Sequence, residues 1–296
     1  MKIVDNFFAP APLLRREFDS RLDVNKPASS NRFVWDYWHV PNQYSHLRTP
    51  AGAFFKKTLL KKFTDELLNY GKENLGCVGI TPLWLSCYIN GSKQGWHADV
   101  PHGPFAFVYS LTKLKENNFS GGETWIMKDE AIDFWPNFHR KNGIEEKDLF
   151  HKVPPRFNRL IVFDPRRPHS VSEVRGTNDP REGRLVMHGW FTHPQPFLEG
   201  GLTRSQSARG LDSIYEKVLP LLKRFRHLHG ISTFRLNIAK SGKIIDYKVL
   251  ITTLTSMNNK GEDKQKYFNE VKRLILSVQF PKATVPTRLT FPLVFY

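Results

Sequence analysis

His97-Ala-Asp99 is the one His-x-Asp in the chain, and it follows the apolar run Pro82-Leu-Trp-Leu-Ser-Cys87, which reads as a buried strand. In an extended segment residues i and i+2 face the same side, so this imidazole and this carboxylate can aim at one point. One more imidazole there completes a set of two histidines and a carboxylate, which suits non-haem Fe(II). His169, in Pro168-His-Ser-Val171 on another predicted strand, is the candidate third ligand. The dipeptide spacing recurs by chance in unrelated chains, so its weight depends on the elements around it.

Those elements belong to a folded chain. Its 296 residues suffice for one large domain or two ordinary ones, and at 40% hydrophobic and 13% aromatic it can bury a sizeable core. Cys77 and Cys87 lie in apolar surroundings without metal or redox spacing, as expected of core residues in a reducing compartment. The N-terminal residues show no signal-peptide pattern and no stretch has the length of a membrane span, so a soluble, cytoplasmic protein is expected. A formal charge of +16 admits an acidic partner, or simply solvated helix faces and loops. The second reading is favoured, because no cluster of bases carries a nucleic-acid-binding motif.

Residues 1 to 30 read as a polar lead-in with one apolar strand or turn around Ile3 to Phe8. Arg32 to His39 is aromatic and β-rich. From Ala53 to Tyr70 apolar residues recur at helical spacing, with lysines opposite and Gly71 as a stop, which predicts a helix buttressing a sheet. Between Ile80 and Phe197 short strands alternate with Gly, Pro and Asn punctuation: Phe105 to Leu111, Gly121 to Met127, Arg159 to Asp164 and Arg184 to Phe191. That pattern predicts a mainly β sandwich or jelly roll.

Five blocks in order carry a resemblance: Tyr88 followed by His97-Ala-Asp99, Phe119-Ser-Gly-Gly-Glu-Thr124, Asn158-Arg-Leu-Ile-Val-Phe-Asp164, Pro168-His-Ser-Val171, and Arg184 leading to Gly189-Trp-Phe191. Over about residues 80–195 the chain resembles the prolyl-hydroxylase-like branch of the Fe(II)/2-oxoglutarate-dependent dioxygenases. The resemblance implies a double-stranded β-helix, or jelly roll, with buttressing helices. It implies that His97, Asp99 and His169 hold Fe(II), with 2-oxoglutarate and O2 as co-substrates and ascorbate as a possible accessory. Arg184 is the implied anchor for the far carboxylate of 2-oxoglutarate, since a guanidinium can hold a carboxylate with two parallel hydrogen bonds. Arg181, in a polar turn, is its rival. Tyr88 matches an aromatic that hydrogen-bonds the co-substrate in relatives. The spacing from His169 to Arg184 exceeds the family's usual one, and Val186 stands where a serine is common.

The presence of Asp99 favours hydroxylation over halogenation, because the related halogenases lack that carboxylate. The implied reaction oxidises an unactivated C–H bond and releases succinate and CO2. Trp190 is expected to pack beside the cofactor, and Thr124 and Trp125 to be structural. His188 shares a strand face with Arg184 and is assigned to packing ahead of ligand contact. His102 lies in the loop after the metal strand, where it could gate the pocket.

The predicted domains are residues 1–200 for the dioxygenase, 201–210 as a small, polar linker, and 211–296 as a small α+β domain. The last is read as a helix interrupted at Pro220, a hairpin across Lys240-Ser-Gly-Lys243, a second helix and a closing strand, and it resembles a TonB C-terminal domain. It shows no catalytic constellation, and a binding or docking role is expected. The expected substrate is a peptide, protein or amino-acid-like molecule; neither nucleic acid nor membrane is expected as a partner. Two alternatives remain open at this level, a nucleic-acid demethylase of the same superfamily and a non-catalytic jelly roll that binds ligands.

Overall fold

The short apolar segments between Trp84 and Phe191 pair antiparallel, and most of them are buried on both faces. The computed structural model describes residues 1–22, 36–41, 43–99, 102–113, 119–132, 145–256 and 261–295. They fall into two units, Met1–Leu67 with Ile80–Thr192, and Leu68–Gly79 with His193–Tyr296.

In the first unit the sheet runs Lys2–Val4, Arg159–Phe163, Phe105–Ser110, Arg184–Pro194, Trp84–Tyr88, Tyr44–Pro50, Lys93–His97, His169–Val171, Thr124–Met127 and Phe150–Val153, each hydrogen-bonded to the next. Asp36–Val40 pairs with Tyr44–Pro50; the start of the aromatic segment, residues 32–35, lies outside the described residues. The sheet is curled, consistent with a jelly roll. Phe163 and His169 are far apart in the strand order, yet their rings lie 4.9 Å apart. Ala106, Ile126, Val153, Ile161 and Phe163 form one core between these distant strands, and Tyr88, Val171, Val174 and Val186 another.

Two helices back this sheet, and the sequence disclosed only one. Lys57–Tyr70 follows a short turn of helix at Ala51–Phe54, and its Phe63 packs on Phe7, Phe8 and Tyr109. The supposed polar lead-in also contains a helix, Ala11–Arg21. Charged residues mask its buried stripe of Ala11, Leu14, Arg15 and Phe18, in which Arg15 donates to the carbonyl of Leu111 at 3.0 Å.

In the first unit the tightest backbone approach at a glycine sits in the Gly-Gly-Glu turn ahead of Thr124. Gly121 has φ +82°, and a Cβ there would lie 1.9 Å from the carbonyl oxygen of Glu173. Substituting it must move one of the two backbones. Gly121→Ala should cost more than about 1 kcal/mol, read as a lower denaturation midpoint by circular dichroism, whereas Gly91→Ala, where a Cβ meets nothing within 4 Å, should cost less.

The second unit differs from its expected outline at four places. Phe197–Gly200, expected in the first domain, pairs with Thr287–Phe295. The supposed linker starts a helix, Arg204–Arg224, whose Thr203 cap exchanges hydrogen bonds with Gln206. Its Ser, Thr and Gly content mimics a linker, but Thr203 is a cap and Gly210 lies against the Phe280 ring, which a Cβ would approach to 2.4 Å. The helix continues through Pro220. Gly71 does not end the preceding helix; a π-turn, Gly71–Leu75, carries the chain to Gly76 in the left-handed region. The hairpin strands Leu228–Ile238 and Ile244–Thr252, the helix Gly261–Leu276 and the strand Thr287–Phe295 enclose a core that includes Ile214, Phe234, Tyr267 and Phe291. Among the described residues no helix is long and apolar enough to cross a membrane.

Candidate active site

Two short strands set the side chains of the candidate metal site. Lys93–His97 and His169–Val171 pair with His97 directly opposite His169, their ring centroids 4.2 Å apart, and the register shifts just beyond, between His169 and Val171. Asp99 follows the first strand and is fixed by its own N–H, which donates to the Pro165 carbonyl at 2.8 Å. Its Oδ2 lies 3.2 Å from His169 Nε2, and its Oδ1 lies 3.7 Å from His97 Nε2. One donor atom from each residue comes within 4.8 Å of the others.

The ring orientations are imposed by main chain. His97 Nδ1 donates to the Gly95 carbonyl at 2.8 Å, and His169 Nδ1 donates to the Arg167 carbonyl at 2.9 Å. A carbonyl only accepts, so each Nδ1 carries a proton, and Nε2, on the Asp99 side, holds a lone pair in the neutral ring and a proton that Asp99 can accept in the charged one. Burial and the neighbouring His169 hold the His97 pKa below its usual value. Burial opposes ionisation of Asp99, but the His169 hydrogen bond and the charges of His169, His97 and His102 outweigh it, and its pKa is lowered. Two imidazole nitrogens and an ionised carboxylate are a donor set that fits Fe(II).

The trio opens into a cavity of about 660 Å³ inside the curled sheet. Arg184 lies in its wall and is 1% exposed. Its Nη2 donates to Thr124 Oγ1 at 3.1 Å, and its Cζ lies 4.5 Å from the centre of the Tyr88 ring. Nε and Nη1 have no hydrogen-bond partner. Burial lowers the Arg184 pKa, although a guanidinium remains charged. A buried cation with two unmet donors is costly unless an anion joins it. Thr124, expected to be structural, thus fixes the guanidinium, and Gly122 leaves room for it: a Cβ there would meet Arg184 Cδ at 3.1 Å.

Arg181 is elsewhere, paired with Asp179 at 2.6 Å in the turn that lengthens the His169-to-Arg184 connection. Tyr88 pairs with Arg184 across strands, stacks on His46 at 4.8 Å and donates to Gln94 Oε1 at 3.2 Å. Gln94 Nε2 lies 3.0 Å from His97 Nε2, so Tyr88 is linked to the metal trio through one amide. His188, assigned to packing, faces the cavity with Nε2 2.9 Å from Ser86 Oγ. His102 and Trp190 also line it, their rings 4.4 Å apart. Trp125 packs with Trp96 and Phe150 instead, as a structural residue would.

The sequence reading passed over His46, Arg48 and Gln94, all of which line the cavity. The signal was present for two of them. Tyr44-Ser-His46-Leu-Arg48 places Tyr44, His46 and Arg48 at every second position, the period of one strand face.

His46 is 4% exposed, and burial, reinforced by Arg48 and Arg184, lowers its pKa to about 3. Its folded value lies below the unfolded one, so the unfolded chain binds the extra proton between about pH 6.5 and 3. The stability held above that window is lost as pH falls through it. The decline in Tm on acidification should be shallower in His46→Gln than in the natural protein; equal slopes would show that His46 does not titrate in this way.

Residues 83–192 match the model of the 2OG-Fe(II) oxygenase superfamily. No curated protein matches the chain. Among solved structures it is similar to a prolyl hydroxylase from Trichoplax adhaerens in complex with a hypoxia inducible factor oxygen degradation domain peptide, at 17% identity and TM-score 0.42 over 64% of this chain and 82% of that one. It is also similar to a Pseudomonas putida prolyl-4-hydroxylase, at 16% identity and TM-score 0.43 over 65% and 91%. The family match, together with the His97, Asp99 and His169 constellation inside the matched segment, carries the assignment. The enzyme is a dioxygenase that uses Fe(II), 2-oxoglutarate and O2, and the segment similar to the 2OG-Fe(II) oxygenase superfamily, residues 83–192, contains all three residues of the candidate metal site.

Proposed function

We propose that this dioxygenase hydroxylates an unactivated C–H bond of a peptide, protein or amino-acid-like substrate, with succinate and CO2 as the other products. The observation that supports the reading is Arg184, a buried guanidinium with two unmet donors in the same cavity as the metal trio. In this reading His97, Asp99 and His169 are the metal ligands. Fe(II), when bound there, supplies with 2-oxoglutarate and O2 the oxidising chemistry that no side chain can provide.

The chain's own residues hold and orient. Arg184 takes the far carboxylate of 2-oxoglutarate on its free Nε and Nη1, while Thr124 keeps the guanidinium from turning away. Tyr88, stacked beside the guanidinium, flanks the same carboxylate. His102 and Trp190 narrow the cavity and limit the water that reaches the site. The second unit has no metal-binding group among its described residues. Its role in this reading is to dock or to bind the substrate's flanking chain.

Anaerobic Fe(II) with 2-oxoglutarate should give a visible charge-transfer band in the natural protein. Arg184→Leu should raise the 2-oxoglutarate needed for that band at least about thirtyfold, the scale expected when a buried charge pair loses one member. Unchanged affinity would place the anchor elsewhere. Mass spectrometry of candidate peptides and cell extract after turnover should find a one-oxygen gain that requires added 2-oxoglutarate and is abolished in Asp99→Ala. Natural-level turnover by that variant would remove Asp99 from the ligand set.

A further inference from the structure

Gln94 and His97 share the cavity although regular strand parity would separate them. Residues three apart in an extended strand point to opposite faces. Both nevertheless line the cavity, and the pairing with His169–Val171 shows why. His169 stands opposite His97 and Val171 opposite Gln94, so three steps on one strand match two on the other. The extra residue is a bulge, which re-aims one side chain and lets both face inward. On its other edge Gln94 pairs with Tyr44, so the amide is carried by a backbone held on both sides.

One main-chain carbonyl sets the polarity of the contacts that follow. The Gly95 carbonyl takes the Nδ1 proton of His97, which leaves Nε2 of the neutral ring as an acceptor. The amide nitrogen 3.0 Å from it is then the donor, the NH2 group of Gln94. That orientation turns Gln94 Oε1 to the Tyr88 hydroxyl, which donates to it at 3.2 Å. Tyr88 is itself fixed by the His46 ring, stacked at 4.8 Å, and by Arg184, whose Cζ lies 4.5 Å from the ring centre.

The amide and a metal ion compete for one lone pair. An imidazole nitrogen accepts a hydrogen bond or coordinates a cation, and it cannot do both. Ligation through His97 Nε2 therefore deprives Gln94 of its acceptor. An N–H that loses its partner in a half-buried wall needs another. With Oε1 still on Tyr88, the released NH2 group stays beside the His97 ring. Asp99 is the one carboxylate among the described residues that line the cavity, and as a metal ligand it is already committed. The acceptor that remains is an oxygen of the anion bound at the metal.

We propose that Gln94 is a positioning residue with two stations, His97 Nε2 before the metal binds and the metal-side carboxylate of 2-oxoglutarate afterwards. The first station favours an order, metal before co-substrate, because ligation is what releases the donor. The second holds the near carboxylate while Arg184 holds the far one. This rests on the reading of the cavity as an Fe(II)/2-oxoglutarate site.

The test measures two affinities of the full chain under anaerobic conditions. Fe(II) alone is titrated by calorimetry, and 2-oxoglutarate is titrated by the visible band with Fe(II) saturating. Gln94→Leu removes both stations. Fe(II) should bind this variant about fivefold tighter, the scale of one neutral hydrogen bond that ligation no longer breaks. 2-Oxoglutarate should bind it at least about tenfold more weakly, the scale of one hydrogen bond to a charged group. A residue that only shaped the wall would weaken both together, and any result other than opposite shifts overturns the proposal. A second measurement uses the natural protein, with Zn(II) as a diamagnetic metal, and does not depend on the variant folding. NMR should detect scalar coupling across the Gln94 Nε2 to His97 Nε2 hydrogen bond without metal and lose it with Zn(II). Adding 2-oxoglutarate should then slow exchange of the Gln94 amide protons with water. Coupling that persists with Zn(II), or exchange that 2-oxoglutarate leaves unchanged, overturns the proposal. Absence of the visible band in the natural protein would sink the co-substrate reading itself, whereas a normal band without opposite shifts removes only the role of Gln94.

Discussion

A guanidinium with 1% of its surface exposed must be held by its neighbours, and the strands of the cavity wall supply them. Arg184 begins the strand that pairs with both Trp84–Tyr88 and Phe105–Ser110, so its position is set by two ladders at once. Gly122 supplies the space beside its stem, Thr124 accepts one of its N–H groups, and the Tyr88 ring covers its face. These contacts satisfy geometry and leave two donors unmet. Burying a charge in that condition is unfavourable in the isolated fold and becomes favourable when an anion arrives. The two unmet donors thus make this part of the cavity wall receptive to an anion.

The metal trio follows a different logic. Here the donors are oriented by backbone carbonyls of Gly95 and Arg167, each two residues before the histidine it holds. The same local device on two paired strands gives two imidazoles related by the pairing itself. Asp99 joins through a main-chain hydrogen bond to Pro165, outside the ladder. Positioning by main chain makes the ligand geometry depend on the fold and little on neighbouring side chains.

How much of this could be read from the sequence depends on the physical range of each signal. Strand parity is local, so the sequence alone brings His97 and Asp99 towards one point, and Arg184 is singled out by the place of its block after His169 in the resemblance. Thr124 as a brace was not visible, since its partner is 60 residues away and only the pairing of His169–Val171 with Thr124–Met127 brings that strand into the wall. His46 and Arg48 lay in a segment whose alternation was legible, but nothing local announces which face of a strand meets a cavity. The Ala11–Arg21 helix was hidden for a related reason: Arg15 occupies a core position, which hydrophobic periodicity scores as a break. Around residue 205 composition misled, because a helix cap and a flexible linker draw on the same Ser, Thr and Gly residues.

The shift in register just past His169 has a consequence for how the domain tolerates change. A strand that slides by one residue exchanges its two faces, which would turn the imidazole outward and bring Ser170 in. An irregularity beside the paired histidines acts as a stop against such sliding, because the two strands match in one alignment only. Insertions or deletions in the connections on either side can then be absorbed within those loops, and the facing imidazoles keep their partnership.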